Sequence, residues 1–150
     1  VCSSDLENLI GAEGGAFAQT MRQLDHERGG IDRLVSNQAL YRRALAHLDT
    51  SDPLLRQEIA RIETGYTVGR MLVYAAAGGA GGGRSAITKA YCTEHEVRVE
   101  RFVANAIGPQ SLLASDAAEA LCSATGYTIS GGTAEVLRNI IGERVLGLPR

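Results

Sequence analysis

Apolar residues along this chain recur at steps of three and four, and period-two alternation is absent. Across residues 16–47, Phe17, Met21, Leu24, Ile31 and Val35 fall at steps of four, three, seven and four, which places them on one face of a long helix. The pair Gly29-Gly30 inside it is a weak point, because each glycine costs roughly 1 kcal/mol relative to alanine in a helix interior. A bend or a close approach by another group is expected there. Asp49-Thr50-Ser51-Asp52-Pro53 breaks the pattern, with Asp52 as N-cap and Pro53 at the first helical position. Leu55, Ile59, Ile62, Tyr66, Gly69, Val73 and Ala76 then come at alternating steps of four and three, the seam of an antiparallel bundle.

The glycine-rich run over 78–83 reads as a flexible connector, with Ser85 capping the next helix. It lacks the preceding strand and the Gly-Lys-Ser/Thr ending of a phosphate loop. A third helix over 86–107 carries Ile87, Ala90, Tyr91, Val99, Phe102, Val103 and Ala106, and Gly108-Pro109 ends it. A short helical piece over 116–123 leads to the last segment. There a Gly131-Gly132 turn enters a helix capped by Thr133, with Glu135 where the helix dipole favours an acid. Val136, Leu137, Ile140, Ile141 and Val145 form its apolar stripe; Gly147 suits a left-handed cap, Leu148 the accompanying contact and Pro149 the stop. The fold class expected is all-α, an antiparallel four-helix bundle.

Composition narrows the function classes. The chain of 150 residues suits one domain, and a net charge of -2 with both signs interspersed argues against nucleic acid or an anionic membrane as partner. No apolar run approaches the roughly 18 residues that span a bilayer, and no basic-then-apolar leader opens the chain. Cys2, Cys92 and Cys122 are odd in number and lack metal-ligand spacing, so no metal site and a reduced, cytoplasmic protein are expected. Residues 1–6 start without a methionine and match what a common sequencing adaptor gives when translated. They are expected to be a non-native or unstructured leader on a gene fragment. Residues 7–15, with Asn8, Gly11, Gly14 and Gly15, read as a loop whose Leu9-Ile10 tucks a strand end into a core, and 16–150 as the helical domain.

The strongest candidate for chemistry is Glu27. It lies three residues after Leu24 and four before Ile31, so its carboxylate is expected on the apolar face. Partial burial raises a carboxylate's pKa, as a general base working near neutral pH requires. Spacing alone favours instead a structural ion pair with Arg28 or with a neighbouring helix. Gly131-Gly132-Thr133 is either an ordinary helix start or an anion site, since glycines ahead of a helix let backbone amides approach a phosphate. His26, His47 and His95 read as surface or structural residues. Glu94, Glu96, Arg98, Glu100 and Arg101 read as a solvated face or a subunit contact.

The C-terminal run Gly-Gly-Thr-Ala-Glu followed by Arg-Asn-Ile-Ile-Gly-Glu-Arg-Val-Leu-Gly-Leu-Pro-Arg resembles the signature of acyl-CoA dehydrogenases, flavoproteins that desaturate acyl thioesters between the α and β carbons. The resemblance covers residues 7–150 and implies the end of the family's middle β-domain plus its C-terminal helical domain. In the isovaleryl-type branch the catalytic glutamate sits in a Leu-x-x-Glu-Arg run, matched by Leu24-Asp25-His26-Glu27-Arg28; in the commoner branch it occupies the position held here by Gly131. The resemblance therefore implies Glu27 as catalytic base, Arg28 in substrate binding, and Gly131, Gly132, Thr133 and Glu135 in binding FAD. It also implies an acyl-CoA substrate, an electron-transfer flavoprotein as electron acceptor, and a homo- or hetero-tetramer built as a dimer of dimers.

Two features of the family are missing. Tyr41-Arg42-Arg43 stands where an Arg-x-x-Phe-Gly run reaches the FAD of a neighbouring subunit, and Asn105-Ala106-Ile107-Gly108-Pro109 replaces a glutamine-plus-diglycine segment. Such losses are similar to those of divergent members that pair two unlike subunits, some acting on steroid side-chain thioesters. Two readings remain: a domain of an active dehydrogenase, or a non-catalytic partner subunit that supplies an oligomer interface.

Overall fold

Helices carry most of the chain in the computed structural model, which describes residues 8–78, 83–113 and 115–149; among these residues there is no strand. The order is α1 (Ala16–Arg28), a single turn α2 (Asp32–Val35), α3 (Gln38–Leu45), α4 (Pro53–Ala77), α5 (Arg84–Ile107), a 3-10 turn (Gly108–Leu112), α6 (Asp116–Tyr127) and α7 (Ala134–Arg144). Pairs of contacts fix the directions. Gly29 meets Ala76, Leu34 packs on Gly69, and the Tyr41 and Tyr66 rings lie 5.8 Å apart, so α1 to α3 run antiparallel to α4. The Thr88 hydroxyl donates to the Leu72 carbonyl and the His95 ring lies against Gly65, so α5 runs antiparallel to α4 in turn. Arg43 pairs with Asp116 at one end of α6 and Arg33 reaches Ser130 beyond the other, which brings the chain back along the bundle. α7 then lies against the first half of α5, with Gly132 at Lys89, Arg138 at Glu94 and Val145 at Gly83. The all-α bundle expected from the apolar spacing is the fold found.

Several local signals act as read. The Asp52 carboxylate accepts from the Leu54 amide at 2.9 Å and Pro53 opens α4, whose Ile62, Tyr66, Gly69 and Val73 are buried along the expected seam. Thr133 caps α7 through the Val136 amide at 3.3 Å. Gly147 is left-handed at φ +66°, and the Leu148 amide returns to the Gly142 carbonyl at 2.9 Å.

Other expectations are corrected. The single helix over 16–47 is three pieces: α1 stops at Gly29, and a Cβ on Gly30 would run into the Asp32 carboxylate that opens α2. The apolar face assigned to this stretch is not buried within the chain; Phe17 is 78% exposed, and the buried residue of α1 is Arg28. Ile10 is 85% exposed, so Leu9-Ile10 does not enter this core. Ser85 does not cap α5. Gly83 does so at φ +93°, and the Ser85 hydroxyl donates to Asp25 at 3.2 Å. α6 starts from a Ser115 cap and extends to Tyr127, four residues beyond the expected end. The leader proposed for 1–6 and the connector at 79–82 lie outside the described residues.

The largest correction concerns α5. Every other helix packs against it, so the stretch read as a solvated face is enclosed: His95, Glu96 and Glu100 are buried, and only Glu94, Arg98 and Arg101 keep outer positions. One Glu96 oxygen accepts from the Asn37 amide at 2.8 Å, satisfying a buried donor at the start of α3. The other Glu96 oxygen, both Glu100 oxygens, the Tyr66 hydroxyl and both His95 nitrogens have no partner among the described residues. Burial pushes Glu96 up to about 8, aided by the nearby Glu100 and opposed by the Asn37 amide, and pushes Glu100 up to about 7. Burial, with Arg98 adding, pulls His95 down to about 4. The core thus prefers these groups neutral.

Their linkage to pH has a definite sign. The folded chain holds protons on Glu96 and Glu100 that the unfolded chain releases above its ordinary carboxyl value of 4.5, so these two groups lower stability as pH rises from there toward 8. His95 acts oppositely, lowering stability as pH falls from 6.5 toward 4. Glu100→Gln is expected to raise the thermal midpoint by roughly 3–6 °C at pH 8 and by much less at pH 5. Melting curves of both proteins at the two pH values check this.

Candidate functional site

The turn between α6 and α7 gathers the charged residues of three other helices. Its two glycines are left-handed, Gly131 at φ +70° and Gly132 at φ +115°, a conformation that other L-residues rarely adopt. Arg28 of α1 donates through Nε to the Gly131 carbonyl at 2.8 Å, and Lys89 of α5 donates through Nζ to the Gly132 carbonyl. Arg33 of α2 donates to the Ser130 hydroxyl at 3.0 Å and to Glu27 Oε1 at 2.6 Å. A cationic cluster therefore holds the turn by its carbonyl side, and Glu27 is brought to its edge.

Position 131 is where sequence and geometry meet. A Cβ there would lie 3.4 Å from Glu27 Oε1 and 3.8 Å from Lys89 Cε. The missing side chain is what lets the Glu27 carboxylate stand beside the turn. Glu27 is not sunk into an apolar face as its spacing suggested; its side chain is 43% exposed, and it pairs with Arg33 rather than with Arg28. The break after Gly29 explains this, because it folds α2 back and carries Arg33 to the carboxylate.

Arg28 is 6% exposed, with its guanidinium committed to Gly131 and lying 3.7 Å from Asp25. Within this chain it presents almost no surface to a substrate, so the structure places it as a support of the turn. Gly131, Gly132 and Thr133 lie together at the N-terminus of α7, and Glu135 stands exposed on its first turn. The Glu135 amide and the Thr133 hydroxyl hold its carboxyl below the usual range. The amides of Gly131 and Thr133 have no partner among the described residues, so together with the helix dipole they form a donor set suited to an anion. That arrangement fits a phosphate-bearing cofactor.

His26 and His47 are exposed, as read, and among the described residues no cluster of three or more His, Cys, Asp or Glu can hold a metal ion. Lys89 and Arg33 were not anticipated. Lys89 shares one face of α5 with Ala86, Thr93, Glu96 and Glu100, at steps of three and four, and that face reads as polar although the bundle buries it. A groove of about 850 Å³ between α4 and α5 contains none of the candidate site residues; Tyr91, His95, Arg98 and Phe102 are among its lining.

The acyl-CoA dehydrogenase C-terminal domain family matches residues 14–146. This chain belongs to that family. Acyl-CoA dehydrogenase IpdE1 of Mycobacterium tuberculosis is 29% identical over 98% of the chain, which spans 42% of that relative's length. Among solved structures, a glutaryl-coenzyme A dehydrogenase in complex with glutaryl-CoA superposes with a TM-score of 0.84 at 20% identity, over 96% of this chain and 41% of that one. A variant of the Tcur3481-Tcur3483 steroid ACAD gives 0.78 at 26% identity, over 93% and 42%. The ChsE4-ChsE5 complex of Mycobacterium tuberculosis gives 0.78 at 21% identity, over 98% and 44%. The acyl-CoA dehydrogenase domain thus corresponds to about two fifths of each of these proteins.

Within this acyl-CoA dehydrogenase domain the geometry of position 131 is open to direct test. Alanine at a left-handed position costs about 1 kcal/mol, and here its methyl would also crowd Glu27. Gly131→Ala is expected to lower the melting temperature by roughly 2–4 °C. Gly126→Ala, in an α-helix with open space around it, is expected to leave it unchanged or raise it. Calorimetry of the two variants checks the contrast.

Proposed function

We propose that the full-length protein carrying this chain is an FAD-dependent acyl-CoA dehydrogenase in which Glu27 is the base that removes the α proton of an acyl-CoA thioester. The observation that carries this reading is the empty side-chain position at Gly131, with Glu27 Oε1 3.4 Å from where a Cβ would stand. One carboxylate fits beside that turn. In the commoner branch of the family it is supplied by the residue at this position, and here α1 supplies it from across the turn. Bound FAD would supply the hydride acceptor for the β carbon and would pass electrons on to an electron-transfer flavoprotein.

The chain's own residues do the remaining work. Glu27 takes the proton, and Arg33 fixes the orientation of the carboxylate through Oε1, while Oε2 has no partner among the described residues. Gly132, Thr133 and Glu135 would hold the cofactor at the α7 N-terminus, where the Thr133 amide and the helix dipole favour its phosphates. The Gly131 amide would polarise the thioester carbonyl, which the weak acidity of an α proton requires. Covering of the half-exposed Glu27 by cofactor, substrate and the rest of the protein would supply the desolvation that a base needs.

Phe17, Leu54, Met71 and Tyr74 are exposed apolar residues on α1 and α4, and the α4–α5 groove is open. They accord with contacts in a homo- or hetero-tetramer. Free thiols at Cys92 and Cys122 accord with a cytoplasmic setting, and among the described residues no helix is long and apolar enough to cross a membrane. A second reading, a non-catalytic partner subunit, is favoured by the missing Arg-x-x-Phe-Gly run and by neighbours whose names pair two unlike components.

The test is flavin bleaching by a panel of acyl-CoA thioesters in the full-length protein, wild type against Glu27→Gln. Loss of the base is expected to slow bleaching at least about 100-fold with flavin still bound. Equal bleaching by the variant would place the base elsewhere, and failure to bind flavin without a second subunit would favour the partner reading.

A further inference from the structure

Lys89 is 0% exposed, yet it places an ammonium in the first half of the central helix. A buried ammonium costs several kcal/mol unless polar partners compensate it. The charges around it do not: Arg28 on α1 and Arg33 on α2 oppose it, and Glu27 on α1 alone favours it. Its hydrogen-bond partner is the Gly132 carbonyl. The lysine is thus matched to a backbone dipole in the turn rather than to a carboxylate.

The geometry points to Lys89 as the positioning residue that aims the Thr133 amide at the bound cofactor. No described peptide bond is cis, and in a trans peptide the N–H points opposite to the carbonyl of the same unit. By drawing the Gly132 carbonyl into the bundle, Lys89 turns the Thr133 N–H away from it, at the N-terminus of α7. Arg28 acts on the preceding unit, holding the Gly131 carbonyl while the Gly132 amide closes the turn onto Ile129 at 3.3 Å. Of these two amides, the one aimed by Lys89 is left without a partner among the described residues. The same lysine stem passes within 3.8 Å of where a Cβ on Gly131 would be, so it also stands beside the preceding residue of the turn. Lys89 touches neither cofactor nor substrate in this scheme and acts through the peptide it holds. The assignment rests on reading the turn as the flavin contact.

Charge at Lys89 is what makes the hold strong. Burial first, then Arg33 and Arg28, pull its pKa down to about 8, against the opposing effect of Glu27. An ammonium whose folded pKa is depressed weakens as a donor when pH rises through that value. The turn is therefore expected to loosen between pH 7 and 9.

The experiment uses the full-length flavoprotein and its Lys89→Met variant, which keeps volume and removes the charge. Amide hydrogen exchange of peptides spanning 129–137, corrected for intrinsic rates, is expected to speed up about tenfold in the variant while α4 peptides keep their protection. Flavin affinity and kcat are expected to fall about tenfold with KM for the thioester unchanged. Wild type should lose the same protection from pH 7 to 9, and the variant should show no such dependence. Unchanged exchange at the turn, or a loss spread evenly over the bundle, overturns the inference. If the variant does not fold, the wild-type profile decides, and a flat profile from pH 7 to 9 overturns it. Wild-type protein that binds flavin but is bleached by no thioester would refute the desaturation reading, while exchange and flavin affinity would still decide on Lys89.

Discussion

Buried cations holding backbone carbonyls are the constraint on which the rest of this structure depends. Arg28 and Lys89 each take one carbonyl of the diglycine turn, and Arg33 joins that turn to Glu27. A carbonyl cannot ionise, so this match survives pH changes that would remove a carboxylate partner, until the lysine itself titrates. It also leaves the Gly131 and Thr133 amides without a partner among the described residues, while the Gly132 amide bonds Ile129. Both residues of the turn are left-handed, Gly131 at φ +70° and Gly132 at φ +115°, a backbone that glycine adopts without steric cost.

The positions of those cations depend in turn on α5. It lies at the centre of the bundle and carries Lys89 near one end, with His95, Glu96 and Glu100 along its enclosed length. Burial raises the pKa of Glu96 and Glu100 and lowers that of His95, so it favours the neutral forms of these groups. Gly65 and Gly69 let α4 come close enough to seal the His95 and Leu34 side chains. Leu34 is next to Arg33, so its seat on Gly69 helps fix α2 beside the charged turn.

Much of this was legible in the sequence where polarity and burial agree. The α4 seam, the Asp52 and Thr133 caps and the Gly147 stop all arise from local chemistry and are found as read. The break in the first helix was visible as Gly29-Gly30, but its depth was not, because the competing contacts come from Ala76 and Glu96 elsewhere in the chain. The face of α5 was misread because its buried residues are Lys89, Glu96 and Glu100, and hydrophobic periodicity cannot identify a polar face that tertiary packing encloses. Glu27 was singled out through spacing and resemblance, yet the spacing argument described its surroundings wrongly. What the structure adds is its placement beside Gly131 and its pairing with Arg33.

The most direct measurement is a crystal structure of the full-length protein with FAD and a non-reactive acyl-CoA analogue. The account predicts a Glu27 carboxylate oxygen within about 3.5 Å of the thioester α carbon, on the open side of Gly131. A substrate whose α carbon lies remote from Glu27, with another carboxylate against it, would contradict the account.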